Sequence, residues 1–321
     1  MYSAEPLPHF VDEYLSYLYE VHPTNATFDG VHLHDDLLED LSRQGIEGQV
    51  RDLGGFARRL AAIDPARLTD TERLERPALD ASIRARVFEL EEVRSWERSP
   101  QHYADVLTTS LAGQALFEYA PLAERARRVL SKLRQVPRVI QSARDNIKDA
   151  PGIFVKVGLE SMRGTLRFID EDLPRAFGDL SDLHLLGDLA DASTEAAAAI
   201  GAYIEYLERD LAPRSKGSFR LGRAKFEQKL KLDEGITLGA DRLLTIAMRE
   251  LAKTQEEFRR VASRLNGGDP IAAWNKAKND HPAAAHHYDS GGCGGGRRAN
   301  SEVLPLDVRQ HVDAGAIRGQ A

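Results

Sequence analysis

The chain has 321 residues, with 43 Lys and Arg against 50 Asp and Glu and a formal net charge of −7. Hydrophobic content of 42 % and charged content of 29 % belong to a globular protein long enough to bury a sizeable core. The acidic balance argues against nucleic acid as the main partner, because phosphate binding rests on clustered Lys and Arg, and the single cysteine, Cys293, excludes an intrachain disulfide.

Apolar residues recur at helical spacing almost from the start. Phe10, Val11, Tyr14, Leu15 and Leu18 predict a helix over 8–20, stopped at His22-Pro23 because the residue before proline disfavours the helical region. Residues 23–35 read as a polar loop. Ile46, Val50, Leu53, Phe56, Leu60 and Ile63 share one face of a second helix, in which Gly54-Gly55 predicts a kink or a close packing point. A third helix is predicted over 71–97, with Pro77 resetting its start, and a fourth over 103–119. Pro121 and Pro137 both stand where new helices begin. Further helices are predicted over 153–170, 183–211, 225–232 and 239–265, and a last one opens at Asp269-Pro270 with Asp as N-cap. One short segment, near 217–222, reads as extended. The fold class is therefore all-α, mostly helical.

Near Pro282 this grammar breaks. Residues 283–321 carry a glycine-rich stretch without hydrophobic period and are read as an irregular, disordered or out-of-frame tail. They contain His286, His287 and Cys293, but adjacent histidines are poorly arranged for one metal and Cys293 has no positioned base. No histidine is followed by glutamate, so the His-Glu-x-x-His motif of helical zinc peptidases is absent. The chain also lacks a GxSxG nucleophile elbow. No residue is assigned as catalytic, cofactor-binding or metal-ligating. The basic cluster Arg125, Arg127, Arg128, Lys132 and Arg134 reads as a solvated helix face. The stretch from Pro23 to Asp35 concentrates His32, His34, Asp29 and Asp35 between two helices; these side chains either line a cleft or, the reading the chemistry favours, satisfy the groups of a buried loop.

That stretch, P-T-x-A-T-x-x-G-x-H-x-x-D, resembles the bacterial "domain of unknown function 885" family. Ile63-Asp64, the run Glu89 to Pro100 followed by Tyr103, the pattern from Arg125 through Leu133 to Pro137, Phe219-Arg220-Leu221-Gly222 and Asp233-Glu234-Gly235-Ile236 resemble it in the same order. The likeness covers about residues 8–282. It implies the N-terminal half of a zincin-like helical fold, in a family of zinc metallopeptidases whose zinc motif lies in a C-terminal half. There zinc acts as Lewis acid and water activator, a Glu serves as general base, and a peptide is the substrate.

The expectation is a helical domain over 1–282, forming the N-terminal portion of a zinc-dependent metallopeptidase, truncated and inactive alone. The alternative is a free-standing helical binding or scaffold protein. The N-terminus has no basic region followed by an apolar one, and no run reaches the ~18 apolar residues a membrane span needs, so the sequence points to the cytoplasm.

Overall fold

The computed structural model describes residues 5–266 and 269–280. Among them the regular structure is helical. The helices in chain order are α1 (Leu7–Val21), α2 (Pro23–Phe28), α3 (Arg43–Ala62), α4 (Asp70–Phe88), α5 (Ser95–Arg98), α6 (Pro100–Leu116) and α7 (Leu122–Asn146). They continue with α8 (Gly152–Arg167), α9 (Leu173–Ala176), α10 (Leu183–Tyr206), α11 (Arg223–Glu234), α12 (Ala240–Asn266) and α13 (Pro270–Asn279). The predicted irregular tail over 283–321, with His286, His287 and Cys293, lies outside the described residues.

The chain divides into two units at Leu243–Leu244, inside α12. The first holds two hydrophobic clusters. The larger is built on α7, which packs between α6 and α10 and sends in Ala126, Val129, Leu133, Val136, Ile140 and Ala143. The smaller joins α1, α3 and α4 through Phe10, Tyr14, Leu53, Phe56, Leu60 and Ile83. Phe56 meets Phe10 edge-on at 5.8 Å and Tyr14 at 5.2 Å. Burial of each such side chain stabilises the fold by about 1.5–3 kcal/mol. In the second unit α13 is capped by Asp269, whose carboxylate accepts from the amides of Ile271 and Ala272, and Phe258 meets Trp274 edge-on at 6.5 Å.

Several local expectations change. Pro137 does not start a helix: α7 runs through it, because the buried stripe keeps one period on both sides and packing outweighs the roughly 3 kcal/mol penalty of an interior proline. Pro77 likewise lies inside α4, which begins at Asp70 under a capping box of Thr69 and Glu72. The predicted 71–97 helix ends early. After α4 comes one π-helical turn, Glu89–Val93, and then Arg94 adopts a left-handed conformation with φ 56°. That reversal swings Trp96 into the core, where Nε1 donates to Leu90 O at 2.9 Å and the carbonyl accepts from Tyr103 Oη at 2.7 Å. α3 runs unbroken through Gly54 and Gly55, and neither glycine meets backbone closely. The segment near 217–222 contributes one isolated parallel bridge, Gly217 with Pro151. The start of the 23–35 stretch is helical, as α2.

Among the described glycines, Gly158 makes the closest approach to another helix. A Cβ there would stand 2.5 Å from Pro100 Cβ and 3.0 Å from the Gln101 amide, so α8 reaches the first turn of α6 only because this side chain is missing.

Candidate functional site

The loop after α2 is bound to one face of α7. Asp35, 1 % exposed, is the hub. Its Oδ1 accepts from Thr27 Oγ1 at 2.5 Å. Its Oδ2 meets His32 Nδ1 at 3.0 Å and Arg128 Nη1 at 2.5 Å. The His32 ring stacks on Tyr119 at 3.9 Å with the planes parallel to within 1°, and the Arg128 guanidinium lies over the same tyrosine ring at 5.3 Å. Burial alone would raise the Asp35 carboxyl; bonds from Thr27 and Tyr119 and the charges of His32 and Arg128 outweigh it and hold the group below its usual range. Two and three turns further along α7, Gln135 Oε1 accepts the Leu38 amide at 3.0 Å, Gln135 Nε2 donates to Asp36 O at 2.7 Å, and Arg138 donates to Leu38 O at 3.2 Å. Asn146 Nδ2 closes the row on Leu41 O at 2.7 Å.

The basic cluster is therefore only in part a solvated face. Arg127 and Arg134 are exposed. Arg125 is buried and donates to the carbonyls of Gln114, Ala115 and Ala120 at 3.0–3.1 Å, satisfying the C-terminal end of α6. Lys132 is 0 % exposed, and its Nζ reaches Ser110 O at 3.4 Å. Burial pulls its ammonium down to about 8, against the opposing pull of Glu39, Asp35 and Asp36. Periodicity misplaced these cations because it treats charge as solvent-facing, whereas Arg125 and Lys132 lie on the side of α7 that meets α6.

Beside the loop lies a cavity of about 340 Å³, lined by α1, α2, α3, the end of α4 and α6. Its apolar wall includes Leu18, Val21, Leu53, Leu90 and Val106. Its polar groups include His22, Thr24, Glu39, His102 and Asp105. Burial lowers His22 to about 4, helped by the charges of Arg86 and His102. Burial also lowers His102, with Glu89 and Asp105 opposing, and raises Asp105. Glu39 is 5 % exposed; Oε1 accepts the Thr24 amide at 3.1 Å, while Oε2 and Thr24 Oγ1 have no hydrogen-bond partner in the protein. His32, His34 and Asp35, the residues singled out in sequence, are not among the groups lining this cavity; the neighbouring Thr24 and Asn25 are. Glu39, His22 and His102 escaped sequence reading because nothing in their spacing joins positions from three separate elements.

Among the described residues one group gathers three metal-ligating side chains, Glu5, His9 and Glu13, with ligand atoms within 4.8 Å of one another. It does not fit zinc. Arg59 already bridges Glu5 and Glu13, and the group lies on the surface of α1 with the His9 side chain 60 % exposed.

A family model described as "Bacterial protein of unknown function (DUF885)" matches residues 23–292, from the first residue of α2 onward. The chain belongs to this DUF885 family. The loop clamped on α7 and, of the cavity's polar groups, Thr24, Glu39, His102 and Asp105 lie within the matched region. A solved structure from Shewanella oneidensis, described as "a putative lipoprotein of unknown function", superposes with a TM-score of 0.69 at 22 % identity. The match covers 85 % of this chain and 52 % of that one, so the chain spans about half the length of this neighbour. No curated protein matches. Among the described residues no helix is long and apolar enough to cross a membrane.

Proposed function

We propose that this chain is the N-terminal helical portion of a zinc-dependent peptide hydrolase and is inactive by itself. The observation that supports the reading is one of extent. The fold spans half of a structural neighbour, and its own 321 residues hold no His-Glu-x-x-His. The surface around the Asp35 hub is consistent with it. Phe28 and Phe117 meet edge-on at 5.3 Å and remain 48 % and 46 % exposed, and Leu33 and Leu116 are exposed as well. Apolar area of this kind suits a surface covered by further protein. In this reading the chain supplies a helical scaffold, and the chemistry on the peptide belongs to residues outside it.

The test is complementation. The chain alone is expected to show no zinc-dependent cleavage of a peptide library. Added to the remaining portion of a full-length family member, it is expected to restore that cleavage. Zinc-dependent cleavage by the chain alone, or none after reassembly, overturns the proposal. A free-standing helical binding or scaffold protein is the second reading, favoured by the large hydrophobic cluster around α7. It requires a monodisperse chain with one cooperative melt, where a severed portion self-associates. The cytoplasmic placement is part of the first proposal; fractionation of native cells tests it, and recovery in the membrane fraction overturns it.

A further inference from the structure

We propose that the cavity between α1, α3 and α6 binds a small apolar molecule carrying a protonated amine, with Glu39 as its anchor. The proposal does not depend on the peptide hydrolase reading.

Glu39 and Thr24 both line the cavity, and each carries a buried polar atom. Glu39 Oε2 and Thr24 Oγ1 both lack a partner in the protein, although the other Glu39 oxygen is fixed by the Thr24 amide at 3.1 Å. An unsatisfied buried polar atom costs about 1–3 kcal/mol, and more for a charged one. A buried side chain held by one oxygen with the other free is therefore arranged to accept a donor. Lys132 acts on Glu39 through space but makes no ion pair with it within 4 Å and donates instead to Ser110 O.

The chemistry of the lining selects a cation. An anion finds little attraction, because burial keeps His22 and His102 neutral near pH 7 and Arg86 is outnumbered by Glu39, Glu89 and Asp105. Lys229, which approaches from α11, is already paired with Glu89 at 3.2 Å. A metal ion is disfavoured, since the ligand atoms of Glu39, His22 and His102 do not gather within 4.8 Å. A neutral apolar molecule fills the wall but leaves both polar atoms unpaired. An ammonium group satisfies them together, one N–H to Glu39 Oε2 and another to Thr24 Oγ1, with its hydrocarbon body on the apolar wall. A cavity of about 340 Å³ is at the small end of ligand sites, which sets the size at that of a single amino-acid-like amine.

The test uses the full chain and three probes of one shape: phenethylammonium, 2-phenylethanol and 3-phenylpropionate. Titration calorimetry at pH 7 is expected to rank the ammonium at least about tenfold tighter than the alcohol, with the acid not binding. Glu39→Gln, which keeps an acceptor for the Thr24 amide, is expected to abolish the preference for ammonium over alcohol. Equal affinity for amine and alcohol, or a preference that survives Glu39→Gln, overturns the proposal. So does a crystal structure soaked with the amine in which water alone meets Glu39 Oε2. Should Glu39→Gln fail to fold, Val106→Phe adds bulk to the wall from α6 and is expected to remove ammonium binding; unchanged binding in that variant counts equally against the site.

Discussion

Arg128 donates from Nη1 to Asp35 Oδ2 at 2.5 Å, joining α7 to the loop after α2 across 93 residues of sequence. The same arginine holds Glu124 one turn earlier through Nη2, at 2.5 Å. Asp35 thus ties a loop within the family-matched residues to the central helix of the core.

Asp35→Asn removes the charge while keeping the shape. It leaves the Arg128 guanidinium and the Thr27 hydroxyl with a weaker acceptor in a buried setting, and is expected to destabilise by about 3 kcal/mol. Urea-induced unfolding at pH 7 measures it. The acid limb gives a second readout. The Asp35 carboxyl is held below its ordinary 3.8, so its contribution is complete above that pH and is lost as pH falls through the lower folded value. The variant should lack this loss.

Lys132 carries the opposite sign. Its folded value of about 8 lies below the ordinary 10.5, so between these limits the unfolded chain binds a proton that the folded one does not. Stability contributed by this group therefore rises with pH across that window, by up to about 1.4 kcal/mol per unit, and is reduced below it. Lys132→Met is expected to raise the melting temperature at pH 7 and to remove the rise. The difference between the two chains, from pH 7 to 10, isolates the effect from other titrating groups.

His22 is kept neutral, with a folded value of about 4 against 6.5. The unfolded chain takes up the proton first, so stability is lost as pH falls from 6.5 to 4, again by up to about 1.4 kcal/mol per unit. His22→Gln should flatten that part of the stability profile in calorimetric melts. His102 is displaced in the same direction and should leave a smaller slope in the variant.

Gly158→Ala places a methyl group against the start of α6, 2.5 Å from Pro100 Cβ. The helix propensity of alanine favours the change by about 1 kcal/mol, but overpacking at this distance costs typically 1–3 kcal/mol. Net destabilisation is expected, in contrast to Gly164→Ala on the same helix, where the added carbon meets nothing within 4 Å. Paired thermal melts compare the two.

Helical class was readable because the apolar period of α1, α3, α7 and α12 is local information. The same information misjudged Pro137 and Pro77, since proline's helix-breaking tendency is a local preference and the packing that overrides it is not. Arg94 shows the converse. Nothing in its neighbours announces a left-handed residue; the conformation follows from the need to bury Trp96 against α6.

The amino-acid sequence by itself determined the helical class, the family segment and the absence of a His-Glu-x-x-His motif, because composition, order and period are properties of the chain. Tertiary structure alone decided which charges are buried. Lys132 and Arg125 carry the same helical spacing as Arg127 and Arg134, yet one pair is inside and the other outside. Arg125 and Lys132 both reach carbonyls of α6, at Gln114 and Ser110, while the loop 35–41 leaves Glu39 with one oxygen bonded and one free.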